Sequence, residues 1–359
     1  FNAIITDAAG NATTGTVSND TIIVDMSSPS EFSITNASAS TIGTVVVGYY
    51  NSTNTQGIII TVPIENDDSL VDGTVQITSS TGGAFTILGD PFSIVDSDGY
   101  LYATLSSATF ETLGDGNTIY FNAIITNAAG IATTGTLDTD ITLTIDITPP
   151  FSQFSITSLS VVGETITGYY TSTSSGIKLE VPIDTTDNSL LNGTVQITSS
   201  SSQNGTYEHL GGTFPIEDIT NSSLTVTILN NTFENFDQFA DNNTMYFNAI
   251  ITDVAGNSAP GTLITTINVT IKTGPSAFTV GTVSSVGGTV VSGYFNSTNT
   301  GITVTVPIEN DSNLKDGTVQ IVSKNGTETD FDTIGDPVDI TSTDINGSIT
   351  VTISAVTLT

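Results

Sequence analysis

One stretch of this chain occurs three times: Phe1-Asn2-Ala3-Ile4-Ile5-Thr6-Asp7, again from Phe121 to Asn127, and again from Phe247 to Asp253. The copies start 120 and 126 residues apart, which is the length of a whole domain and too long for a solenoid turn. Two further markers keep step with it. Val-Pro-Ile recurs at Val62-Pro63-Ile64, Val181-Pro182-Ile183 and Val306-Pro307-Ile308, and Gly-Thr-Val-Gln-Ile begins at Gly73, Gly193 and Gly317. The 359 residues therefore divide into about three similar units, each long enough to bury a core without metals or disulfides. Functions that need one unique site rarely take this form, whereas tandem copies extend, space or assemble something.

Within a unit the apolar residues alternate with period two. In Gly301–Ile308, Ile302, Val304, Val306 and Ile308 fall on one face, with Thr303 and Thr305 on the other. The second copy places Ile177, Leu179, Val181 and Ile183 inward, and Lys178 and Glu180 outward. The shared prolines at 63, 182 and 307 belong to the outward set near a strand end, a position that suits an edge or a terminus. Further strands are expected at Phe32–Ile34, Val45–Tyr49, Gly73–Ile77, Phe85–Leu88, Tyr100–Leu105, Thr118–Thr126 and about Thr133–Asp146. No segment has a convincing helical period. Seven or eight short strands in ~120 residues predict an all-β fold, a tandem array of immunoglobulin-like β-sandwiches strung as beads with little slack.

Pro and Ser interrupt the strands near Pro29, at Pro149-Pro150 and at Pro275. The expected division is a partial domain over 1–29 holding its C-terminal strands, complete domains over 30–149 and 150–275, and a partial domain over 276–359 lacking its last strands. Two explanations fit these ends: a window on a longer array, or end strands exchanged between molecules. Sixteen residues separate Leu105 from Phe121, while only six follow Ile353, so the window is the expected reading.

The charge excludes whole classes of partner. With 36 acids against four lysines and a net charge of −32, the chain cannot neutralise phosphates, so nucleic acid and anionic membrane surfaces are not expected partners. Small cations are, because they relieve the self-repulsion. The absence of cysteine rules out a disulfide scaffold and a thiolate metal site, and no apolar run approaches the ~18 residues of a membrane-spanning helix.

Three groups of residues carry a family likeness. Thr6-Asp7-Ala8-Ala9-Gly10-Asn11 leads into Val24-Asp25-Met26-Ser27-Ser28-Pro29. The second copy has Asn127-Ala128-Ala129-Gly130 and Ile145-Asp146-Ile147-Thr148-Pro149, and the third has Asp253-Val254-Ala255-Gly256-Asn257 but ends on Ile271-Lys272, without the Asp. Gly48-Tyr49-Tyr50-Asn51 and Gly293-Tyr294-Phe295-Asn296 open two of the units. This pattern resembles tandem bacterial and archaeal immunoglobulin-like surface repeats, and the arginine-free acidic bias is most similar to an archaeal surface-layer (S-layer) protein. The resemblance implies an extracellular, cell-surface, non-enzymatic structural role: a repeat segment of a layer or filament whose partners are copies of itself and small cations. The alternative is the stalk of an adhesin whose binding tip lies outside this segment.

Asp7, Asn11, Asp25, Asp253 and Asn257 offer oxygen ligands for Ca²⁺ near the domain junctions, the one cofactor the sequence points to. The competing reading is that Asp7 and Asn11 only close a turn. A second acidic cluster follows each Pro-Ile (Glu65, Asp67, Asp68 and Asp72; Asp184 and Asp187; Glu309, Asp311 and Asp316) and reads as solvated loop. Asp96-Ser97-Asp98-Gly99 matches only the start of a calcium loop. Of 14 Asn-x-Ser/Thr sequons, Asn51 and Asn296 share a repeat position and are the expected glycosylation sites. Catalysis has little to draw on: His209 is the one histidine and reads as a loop residue. The lysines (Lys178, Lys272, Lys315, Lys324) share no repeat position, which argues against inter-strand covalent links.

Overall fold

The computed structural model describes all residues except Asp98, Ser152, 164–166, 234–238, Thr273, Glu328 and Thr359, so the Asp98 position of the calcium-loop pattern lies outside the described residues. Two compact units emerge, Phe1–Ile271 and Lys272–Thr359. The larger contains two sandwiches, each with its own apolar core. In the first, Asn36–Ala39, Ile58–Ile64 and Gly99–Leu105 form a three-stranded sheet with Ile58–Ile64 in the middle. The facing sheet runs Tyr49–Asn51, Thr142–Asp146, Thr118–Thr126, Thr74–Ser80, Thr86–Ile87. Tyr49–Asn51 lies parallel to Thr142–Asp146, and the other pairs are antiparallel. The second sandwich repeats this order: Ser158–Val162, Gly176–Pro182 and Ser223–Leu229 face Tyr169–Thr171, Asn268–Lys272, Thr244–Thr252, Thr194–Ser200 and Glu208–Pro215. This is the expected immunoglobulin-like, all-β architecture.

The repeat markers each have a local cause. Thr61 accepts from Thr35 N at the edge of its sheet, so Pro63, two residues on, faces the same side just beyond the last bond of that ladder. Its missing N–H therefore leaves no ladder bond unmade. Pro182 follows Glu180, which accepts from Thr157 N, and Pro307 follows Thr305, which accepts from Gly281 N. Gly73 and Gly193 precede the shared Thr-Val-Gln-Ile because a Cβ there would stand 2.3 and 2.4 Å from the carbonyls of Thr126 and Thr252. The preceding residues Asp72, Asn192 and Asp316 adopt left-handed backbone (φ 68, 67 and 66°), which Asn and Asp tolerate better than other side chains. The glutamine of the motif ties strands together: Gln76 Nε2 donates to the carbonyls of Ile77 and Gly89, and Gln196 and Gln320 do the same in their units.

The repeated strand is observed as expected, at Thr118–Thr126 and Thr244–Thr252, with Phe121, Ala123, Ile125, Phe247, Ala249 and Ile251 buried. The strand after it differs from expectation, because it is broken into Ala132–Thr134 and Thr142–Asp146. The break lies opposite Asn122, whose Nδ2 donates to the Gly135 carbonyl at 2.8 Å in place of a ladder bond; Asn248 treats Gly261 identically. The opening strands also shift, to Asn36–Ala39 and Tyr49–Asn51. A one-turn helix, Ser107–Glu111, was not expected. Ser106 caps it, and Phe110 anchors it against Tyr50 (4.9 Å, edge-on) and Phe121 (6.0 Å, stacked).

In the unit Lys272–Thr359, Val283–Val286, Gly301–Ile308 and Gly347–Ser354 form the three-stranded sheet, and two short two-stranded ladders replace the opposite sheet. Among the described residues its core has seven buried apolar side chains, against 21 in each complete sandwich. The Ile4–Thr6 and Ala12–Thr14 hairpin stands apart from any core, with Phe1 76% exposed. No described helix is long and apolar enough to cross a membrane.

Phe121→Ala and Phe247→Ala should each destabilise their sandwich by about 3–5 kcal/mol in urea unfolding, the usual range for a buried phenylalanine. Phe1→Ala, the same repeat position in an exposed setting, should leave both transitions where they are.

Candidate functional site: the joint between the first two sandwiches

The two complete sandwiches meet through the loop that follows the repeated strand. Residues Asp253–Asn257 first close on themselves. Asp253 N donates to the Asn257 carbonyl at 3.0 Å, while Asn257 N and Nδ2 donate to Asp253 Oδ1 and Oδ2 at 2.8 and 2.9 Å. Val254 N donates to the Ser189 carbonyl and fixes the loop to its own sandwich. The closed loop then inserts into the first sandwich. Asn51 Nδ2 donates to the Ala255 carbonyl at 2.8 Å, Ser52 N and Oγ donate to Asn257 Oδ1 at 2.9 and 2.7 Å, and Asn257 Nδ2 donates to the Asp146 carbonyl at 2.9 Å. Ala255 and Asn257 are completely buried and Asp253 is 4% exposed.

Gly256 makes the insertion sterically possible. Its φ is +94°, and a Cβ there would approach Val46 Cγ2 to 3.0 Å and Thr44 Cγ2 to 3.2 Å. The receiving turn is equally well organised. Asn51 N donates to Asn54 Oδ1 at 2.8 Å, both side-chain amides donate to the Thr44 carbonyl, and Thr53 N donates to Asn51 Oδ1. Asp115 holds the connecting chain by accepting from Ile147 N at 2.8 Å and from Thr148 Oγ1. The joint is thus a network in which nearly every buried polar group has a partner, the condition under which such networks rigidify.

The network brings carboxylates together. Burial, then the charges of Asp253 and Asp115, push the Asp146 carboxyl up to about 6 from its ordinary 3.8. Burial also raises Asp253, against the opposing bonds from Asn257 and the loop backbone. The corresponding positions near the chain's start differ: Asn127 replaces the second carboxylate, and its Nδ2 donates to Asp25 Oδ2 at 2.8 Å and to the Ser27 carbonyl at 3.1 Å.

The oxygens expected for Ca²⁺ accept hydrogen bonds from their own turns and neighbours. Asp7 repeats the Asp253 turn, accepting from Asn11 N and Nδ2 at 2.8 Å each, and Asp25 meets Asn127 and Ser27. Among the described residues no group of three or more Asp, Glu or His side chains is arranged to hold a metal. The acids after Pro-Ile are local structure. Asp67, Asp187 and Asp311 cap one-turn 3₁₀ helices, while Glu65 and Glu309 accept from Ser30 N and Ser276 N at 2.8 Å. Both N–H groups of the Asn51 amide are donated and the residue is 1% exposed, so a glycan there would displace a bond of the joint; Asn296 Nδ2 donates to the Thr289 carbonyl. His209 is exposed, in a strand opposite Thr198. Nothing in the sequence singles out Asp115, Ser52 or Asn54 as site residues, and it marks Asp146 only as the counterpart of Asp25 in the closing pattern.

No protein-family model and no curated protein matches this chain. Among solved structures it is similar to the FN1–FN3 domains of chicken CNTN1, with 9% identity over 91% of this chain and 88% of that one and a TM-score of 0.26. An α-L-rhamnosidase from Dictyoglumus thermophilum matches at 8% identity over 64% of this chain and 28% of its own, with a TM-score of 0.26. The collagen binding domain of Erysipelothrix rhusiopathiae surface protein RspB matches at 10% identity over 68% and 93%, with a TM-score of 0.12. At these scores the fold assignment stands on the chain's own strand order.

Asn257→Ala should leave each sandwich folded but free the joint, because it strands the donors of Ser52 at a cost of about 1–3 kcal/mol. Small-angle scattering of residues 30–271 should then broaden from one interdomain distance to a distribution. The pH response follows from Asp146. A carboxyl whose folded value is raised favours the folded joint when protonated, so its contribution is complete below about 3.8 and is lost as the pH rises through about 6. Asp146→Asn should remove that contribution to pH dependence and raise the thermal midpoint most near neutral pH. An equal shift at pH 4 and pH 7 would contradict this.

Proposed function

We propose that this chain is an extracellular, non-enzymatic structural segment, part of a cell-surface layer or filament whose repeated sandwiches are locked end to end. The observation that carries the reading is the joint. A loop of the second sandwich is built into the first through Asn51, Ser52 and Asn257, which suits a load-bearing array better than a flexible tether. The composition supports it, since neither nucleic acid nor an anionic membrane suits a chain of net charge −32. Cations gather at such a surface through the field of many carboxylates and need no dedicated ligands.

Imaging the native cell envelope with a label on this chain distinguishes the readings. Continuous lattice or fibre is the expected outcome; isolated, laterally separate stalks would replace this reading with the adhesin stalk. The cation component has its own check. Purified assemblies should take up small cations and exclude anions at low salt, and both effects should fade as the Debye length falls from ~10 Å at 0.1 M toward ~3 Å at 1 M. Equal partition of ammonium and chloride at low salt would remove it.

A further inference from the structure

The turn that receives the loop is built twice in this chain. Residues 288–299 match residues 43–54 at every position except Ser292 for Val47 and Phe295 for Tyr50. The hydrogen bonds match as well. Asn296 N donates to Asn299 Oδ1 at 2.7 Å, and Asn296 Nδ2 and Asn299 Nδ2 donate to the Thr289 carbonyl at 2.8 and 3.2 Å. Thr298 N donates to Asn296 Oδ1 at 2.9 Å, and Thr289 N donates to Thr298 Oγ1 at 2.9 Å. In the first sandwich the second N–H of Asn51 goes to the inserted loop. The second N–H of Asn296, and the N and Oγ of Ser297, make no hydrogen bond among the described residues. The second sandwich does not repeat the device: Thr171 stands where Asn51 does, and a hydroxyl cannot donate to two carbonyls.

The inserting loop is also built twice. Asp7–Asn11 has the closure of Asp253–Asn257, with Asp7 N to the Asn11 carbonyl at 2.9 Å and both Asn11 donors on the Asp7 carboxylate. Gly10 has the matching φ of +92°, yet nothing lies within 4 Å of where its Cβ would stand, and Ala9 is exposed where Ala255 is completely buried. The loop has already taken up the shape that it needs for docking, so little ordering entropy remains to oppose association.

We propose that the Asn296–Asn299 turn docks a loop built like Asp7–Asn11 from the next repeat of the array. Between molecules of these 359 residues, the Asp7–Asn11 loop of a second copy fills that role. Asn296 Nδ2 donates to the Ala9 carbonyl, and Ser297 N and Oγ donate to Asn11 Oδ1, as Asn51 and Ser52 do with Ala255 and Asn257. This deepens the array reading, on which it rests, by naming the surfaces through which copies join. Both partners are acidic, so association strengthens as salt screens their repulsion, the reverse of a contact held by ion pairs.

The test uses the 359-residue chain made in a host without N-glycosylation. Sedimentation equilibrium in about 0.5 M NaCl should show reversible association. Asn296→Ala should weaken it at least tenfold, as should Gly10→Val, which fills the close approach. Thr171→Ala, at the same turn position in the second sandwich, should leave it unchanged. Because the chain has no cysteine, Ala8→Cys and Ser292→Cys molecules, substituted at exposed positions that make no bond in the proposed contact, can be mixed with a short bismaleimide, and the mixed dimer should predominate over either self-linked dimer. A monomer at millimolar concentration, association insensitive to both Asn296→Ala and Gly10→Val, or a statistical mixture of linked dimers would overturn the proposal. Such a result leaves the array reading to the envelope images, where lateral contacts alone can still build a lattice.

Discussion

The two strands Thr118–Thr126 and Thr244–Thr252 set most of what this chain is. Each pairs with three neighbours, and each buries alternate side chains at the centre of its core. Period two leaves no freedom of register once one face is buried, since a slip of one residue would carry Phe121, Ala123 and Ile125 to the outer face. That same rigidity fixes where the strand ends. The loop leaving Thr252 projects in one direction only, so the contact that Asp253–Asn257 makes is an extension of core packing into the neighbouring sandwich. Core, strand and joint are one mechanical path.

The path is polar where it crosses between sandwiches, and this has a physical reason. An apolar contact between domains is tolerant of small rotations, because dispersion and hydrophobic burial have little directionality. A network of buried amides is not: each Asn257 or Asn51 donor that misses its acceptor leaves an unsatisfied group in a site from which water is excluded. The joint thereby specifies one angle. The same logic explains the use of asparagine rather than aspartate at position 51, since only an amide can both accept from Thr53 and donate to Thr44 and Ala255.

Much of the fold was legible because burial writes itself into alternation. Ile58–Ile64 and Thr118–Thr126 could be read directly, and Pro63 could be placed at a ladder's end from its position in the outward set. The helix Ser107–Glu111 could not, because five residues are too few for a 3.6-residue period, and its one inward residue, Phe110, depends on Tyr50 and Phe121 for its place. The broken strand after Asn122 was equally hidden, since a side chain substituting for a ladder bond leaves no periodic trace. At the joint, Asp253 and Asn257 stood out as a pair with oxygen to offer, but the groups that use them, Asn51 and Ser52, lie some 200 residues upstream. Spacing could not bring these halves together, and Asn51 was conspicuous only as a sequon and as the end of the Gly48-Tyr49-Tyr50-Asn51 opening.

Charge is the remaining constraint, and it acts against the joint. With 36 acids on 359 residues, bringing acidic sandwiches end to end concentrates like charge where they meet. The network answers this by turning amides and carbonyls toward the interface. Among the five described bonds that cross it through Asn51, Ser52 and Asn257, four end on amide or backbone oxygens, and the one carboxylate acceptor is Asp146 Oδ1, in the longest of them at 3.4 Å. The carboxylates of Asp253 and Asp115 instead turn inward to close their own loop or hold the linker. Asp146 is the exception. It gives its carbonyl to the joint while its carboxyl sits half-buried beside two others, and its raised proton affinity records the resulting tension. The first repeat places an amide, Asn127, opposite Asp25, so no second carboxylate of that loop stands beside it.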